Sequence, residues 1–217
     1  CTDEIKNKVL KYNSKDRNVL EWGVEGSAEG EFSKPAGITS DMGGHLYVVD
    51  AGNHRIQKFT SDGEFIHTWG EFGSGSGQLS DPWGITVDSQ GFVYVADWGN
   101  DRVQKFTGDG EWLQNFGVSS PDALRLNHPS DVAVDSEGDV YVADWGNKKV
   151  QIFDSDGEIL TSLYGDATEL SRSAIKFMDV NQDYYKAFKR AKDKSRLGIF
   201  ERPTSISITR DDRIVIC

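Results

Sequence analysis

The feature that most restricts the fold is a period. Pro35, Pro82 and Pro129 stand 47 residues apart, and the same interval separates Asp50, Asp97 and Asp144, then Asn53, Asn100 and Asn147, then Gly23, Gly70 and Gly117. Self-similarity at a fixed period of this length means that one supersecondary unit is copied, each copy burying its apolar face against the next.

The copy from Pro82 to Gly117 shows what the unit is. Ile85 and Val87, then Val93 and Val95, follow the two-residue alternation of strands with one buried face. Between them Asp88-Ser89-Gln90-Gly91 supplies a tight hairpin, because Asp tolerates a turn start and Gly accepts positive φ. Trp98-Gly99-Asn100 interrupts the run, Val103 to Phe106 begins a third strand, and Gly108-Asp109-Gly110 turns it into a fourth, Trp112 to Phe116. Four short antiparallel strands, a to d, make one propeller blade. The expectation is an all-β protein, a single β-propeller over 1–217 with complete blades at 35–70, 82–117 and 129–165.

The ends fit the same period. Residues 9–23 align with strands c and d, and 203–217 with strands a and b, so the two would form one composite or split blade. Two readings stand at this point. Either the ring closes on four blades with Cys1 beside Cys217, possible partners in a disulfide, or the chain is one arc of a larger ring.

One link departs from the pattern. The connection from strand d to the next strand a runs from Gly70 to Leu79 in one copy, but from Gly165 to Phe200 after the third blade. Leu170, Ala174, Phe177 and Met178 fall at helical spacing, as do Tyr184, Phe188 and Ala191, so 166–199 reads as an insertion of two short amphipathic helices. Residues 166–200 hold 8 basic and 5 acidic side chains, whereas the whole chain has a net charge of -11. An acidic surface speaks against general nucleic-acid binding, and no apolar run is long enough to span a bilayer. The two cysteines leave no metal motif and no redox pair of the C-x-x-C kind.

In a propeller the d-to-a link and the b-to-c loop leave the same rim. Trp98 and Trp145 lie in b-to-c loops, Trp83 follows the opening Pro of its blade, and Arg55 and Arg102 follow the motif Asn. With Tyr184, Tyr185, Phe188, Lys189 and Arg190 of the insertion, they make an aromatic and basic mouth, the expected ligand or partner site. Structural readings stand beside this one: the tryptophans as packing between blades, the arginines as partners of Asp50 and Asp97, the Asn residues as turn formers. No catalytic set, metal set or cofactor motif is visible. His45, His54, His67 and His128 come from unrelated positions, without the H-E-x-x-H spacing, and no G-x-S-x-G elbow occurs.

The blocks LYVVDAGNHRIQKF, VYVADWGNDRVQKF and VYVADWGNKKVQIF, ending at Phe59, Phe106 and Phe153, resemble the NHL repeat, and the resemblance covers 9–165 and 200–217. It implies a propeller, usually of six blades, used for protein interaction or sensing. Some such propellers bind RNA through a basic face, here a reading that rests on the insertion. Another is a zinc- and calcium-dependent amidating lyase whose metal histidines follow the strand-a Pro. Those positions hold Ala36, Trp83, Ser130 and Thr204 here, so that ligand set does not carry over. The resemblance also leaves a metal-dependent lyase or hydrolase with a central-channel metal as an alternative, for which Asp131 is the one obvious ligand among the strand-a residues. The reading adopted is a non-enzymatic module that presents the aromatic rim to a protein or peptide.

Overall fold

A computed structural model describes residues 1–15, 18–118, 124–164, 200, 202–209 and 213–217. The expected helical insertion, 166–199, lies outside the described residues, and so do Tyr184, Tyr185, Phe188, Lys189 and Arg190. Everything described is built from strands and turns.

Three sheets have four antiparallel strands in chain order. They are β4 (Pro35–Ser40), β5 (Leu46–Asp50), β6 (Arg55–Phe59) and β7 (Phe65–Trp69); β8 (Pro82–Val87), β9 (Val93–Asp97), β10 (Arg102–Phe106) and β11 (Trp112–Phe116); and β12 (Pro129–Val134), β13 (Val140–Asp144), β14 (Lys149–Phe153) and β15 (Ile159–Leu163). The register repeats with the sequence: Asp50 faces Arg55, Asp97 faces Arg102 and Asp144 faces Lys149. The turn after the innermost strand closes as its residues require. Asp88 Oδ1 accepts the N–H groups of Gln90 and Phe92, and Gly91 stands at φ 87°.

At the chain's start, β1 (Thr2–Asp3), β2 (Lys8–Tyr12) and β3 (Asn18–Trp22) make a three-stranded sheet, and at its end β16 (Ile206–Ile208) and β17 (Ile214–Ile216) make a two-stranded one. The alignment of 9–23 with strands c and d omits β1, which pairs Thr2 with Val9 as Val49 pairs with Ile56. Two residues are too few to display an alternation. The two end sheets do not pair with each other among the described residues, and Cys1 and Cys217 are exposed free thiols.

The innermost strands lie side by side in the order β1, β4, β8, β12, β16, so the sheets fan around one axis. Apolar side chains fill each gap between sheets. Val9, Phe32, Val48 and Phe59 pack between the first two; Ile56, Trp69, Leu79, Ile85 and Phe106 between the next pair. Val103, Phe116, Leu126, Val132 and Phe153 come next, then Ala143, Val150, Ile152 and Ile206. A four-stranded sheet cannot stand alone in water, and these gaps are where its burial is found.

Candidate functional site

A buried polar latch fixes the rim. In the second blade Asp97 is fully buried; its Oδ1 accepts the N–H of Ser80 at 2.7 Å. Its Oδ2 accepts Asn100 Nδ2, Arg102 Nε and Gln104 Nε2 at 2.9, 2.8 and 3.0 Å. Arg102 spends its remaining fork on the carbonyls of Ser74, Gly75 and Gln78, and Asn100 also donates to Gly73. The first blade repeats this around Asp50, with Asn53, Arg55, Gln57 and the link residues Ser27, Ala28 and Glu31. Each latch ties the b-to-c loop to the link from the preceding blade. A buried carboxylate is tolerable only when it is paired and saturated in this way.

The latch decides two of the expected site residues. Arg55 and Arg102 are bound within it, their guanidinium groups engaged by a carboxylate and by backbone carbonyls. Within the latch they brace the rim. Asn53, Asn100 and Asn147 do more than form turns, since each bridges the motif Asp to a link carbonyl. Gln57, Gln104 and Gln151, which sequence reasoning missed, are fully buried on strand c. The readable signal was a Gln recurring every 47 residues between apolar neighbours.

Above the latch the tryptophans meet. Trp83 leaves the start of β8 and Trp98 the 3-10 turn after β9, their ring centroids 4.7 Å apart. Trp145, in the matching loop after β13, lies 5.0 Å from Trp98, and the His128 ring stands edge-on to Trp98 at 4.9 Å. Beyond Trp145 the Arg202 guanidinium sits over the indole at 4.3 Å, a cation–π contact across a blade boundary. The row therefore runs Trp83, Trp98, Trp145, Arg202. Trp83 keeps 50% of its surface exposed, and Phe72, against His54 at 4.9 Å on the same rim, keeps 69%.

Gly99 is where the backbone demands its residue. Its N–H donates to the Ser80 carbonyl at 2.8 Å, and a Cβ there would run into the Ser80 side chain and carbonyl. Without that approach the loop carrying Trp98 would not seat.

On the inner strand of the third blade, burial pushes the Asp131 carboxyl up to about 6, against the opposing pull of the N–H groups of Ile206 and Val132. Those N–H groups donate to its two oxygens, at 3.0 and 2.9 Å. Asp131 thus bolts the third blade to β16. Among the described residues no group of three or more His, Cys, Asp and Glu side chains converges as a metal site, and no helix is long and apolar enough to cross a membrane.

The NHL repeat matches residues 32–59, 79–106 and 126–153. No curated relative matches the sequence. Among solved structures, virginiamycin B lyase from Staphylococcus aureus is similar at a TM-score of 0.62 and 15% identity, over 99% of this chain and 57% of that one. A streptogramin B lyase structure is similar at 0.56 and 15%, over 99% and 54%. A chain of a nidogen/laminin complex is similar at 0.54 and 17%, over 85% and 56%. The chain spans a little over half the length of these structures. At such identities the likeness is one of fold.

Proposed function

From the premise that this chain is an NHL-repeat protein of the β-propeller kind, we propose that it is a non-enzymatic binding module whose aromatic rim takes a protein or peptide partner. The observation that carries this reading is the row of three indoles spanning two blades, with Trp83 half exposed at its end. Tryptophan anchors on a rigid frame are the residues that dominate recognition energies, because they bury a large area while losing little freedom. The latches beneath supply the rigidity, since the loop that carries Trp98 is bonded to the preceding link at several points. Phe72 and His54 extend the surface toward the first blade.

The test is selection of a displayed random peptide library on the immobilised protein, beside a variant with Trp83→Ala, Trp98→Ala and Trp145→Ala together. The variant's fold is checked by circular dichroism. Clones that bind the wild type and lose the triple variant support the reading. Enrichment of clones indifferent to all three substitutions, or of none, defeats it.

A further inference from the structure

We infer that the open end of the tryptophan row receives an arginine side chain of a peptide partner, seated on Trp83 as Arg202 is seated on Trp145; this rests on the binding-module reading above. The row has two unlike ends. At one, the Arg202 guanidinium covers the Trp145 ring at 4.3 Å. At the other, the first blade places Ala36 and Ala51 where the second has Trp83 and Trp98, so no indole continues the row. Trp83 is left 50% exposed, with Trp98 as its one ring neighbour among the described residues.

The chemistry of that end selects a cation. An indole face carries the strongest negative quadrupole among side chains, and a planar guanidinium stacks on it better than an ammonium does. The molecule fills such seats from its own chain elsewhere. Lys58 lies over Tyr47, Lys105 over Phe92 and Tyr94, and Arg202 over Trp145, whereas among the described residues no cation lies over Trp83. The two arginines nearest in the motif, Arg55 and Arg102, are committed to the latches and do not compete. Asp81, two residues ahead of Trp83 in the chain, is exposed, its N–H held by His54 Nδ1 at 3.1 Å. The net charge of -11 raises the local concentration of basic segments and speeds their encounter. An acidic peptide would meet both the quadrupole and the chain's net charge with the wrong sign.

The peptide selection is read a second way, with a Trp83→Ala arm beside the wild type and the triple variant. Trp83 is half exposed, so this substitution leaves the blade's core intact. The expected result is arginine enrichment among rim-dependent clones, with binding of those clones about fivefold weaker on Trp83→Ala. In a synthetic copy of one clone, replacing the arginine by citrulline, its neutral isostere, weakens binding by a similar factor. Rim-dependent clones without arginine enrichment, or arginine clones indifferent to Trp83→Ala or to citrulline, overturn the inference and leave the binding-module reading standing. A library that yields no rim-dependent clone removes both.

Discussion

The second and third blades share the strand VYVAD and the loop that follows it, Trp-Gly-Asn, yet among the described residues their latches differ. In the second, Arg102 touches Asp97 at 2.8 Å and reaches three link carbonyls, and Gln104 Oε1 accepts the N–H of Gly77. In the third, Lys149 approaches Asp144 only to 3.8 Å, and Gln151 donates to the Leu124 carbonyl and not to the carboxylate. Gln151 Oε1 is buried with no partner among the described residues. Burial holds the Asp144 carboxyl above its ordinary range and the Lys149 ammonium below its own, despite their mutual attraction. A guanidinium can be saturated from several directions by its planar fork, whereas an ammonium is a compact point charge that presents no such fork to the carboxylate. The repeat thus fixes where the acid goes; the cation decides how well its burial is compensated.

The largest effect should come from removing the acid itself. Asp97→Ala leaves Arg102, Asn100 and Gln104 facing an empty site and is expected to cost about 3–5 kcal/mol, read as a fall in the urea midpoint. Asp144→Ala removes a longer contact and is expected to cost about 2 kcal/mol. Equal losses would mean that the latch cation has no bearing on stability. Exchanging the cations sharpens the point: Arg102→Lys forfeits the three carbonyl contacts, at about 2–3 kcal/mol. Lys149→Arg, placed where the link differs in sequence, is expected to change stability by less than about 1 kcal/mol.

Much of this frame could be read from the letters. A 47-residue period, apolar alternation and Asp-Gly turns locate the three sheets, and the same spacing puts Trp98 and Trp145 on one rim. Pairing of the motif Asp with the following Arg was readable as an alternative, because the two face each other at the end of adjacent strands. What the letters do not contain is the angle between blades. Arg202 reaches Trp145 only because β16 docks beside β12, a placement that depends on packing between distant segments. Gln104, one polar residue among apolar ones, carries the letter pattern of an exposed strand position although it is buried. Burial of both faces of the sheet hides that distinction.

The third blade also titrates. Asp131 has its carboxyl raised to about 6 by burial, so the folded chain holds a proton more tightly than the unfolded one. Stability from this group is present below the unfolded value near 4 and falls as pH rises through the interval to about 6. The loss expected is about 1–2 kcal/mol across that interval, after allowing for solvent near the site. Urea midpoints at pH 4 and pH 6.5 should converge for Asp131→Asn relative to the wild type. An unchanged pH dependence in that variant would assign the effect to another group, Asp144 being the next candidate, raised by burial in the same blade.

The smallest effect is the most diagnostic for the latch. Gln104 satisfies donor and acceptor alike, giving its N–H to Gln78 and Asp97 and taking that of Gly77. Gln104→Leu therefore abandons three polar partners in a buried place and should cost about 2 kcal/mol. Among the described residues Gln151 makes one donor contact and its Oε1 none, so Gln151→Leu gives up that contact but also removes an acceptor left unmet there. The two terms oppose and are nearly equal, and the change in midpoint is expected to stay within about 0.5 kcal/mol. A loss in Gln151→Leu as large as in Gln104→Leu would show that the third latch is complete in solution. The asymmetry between the blades would then lie in the link and not in the lysine.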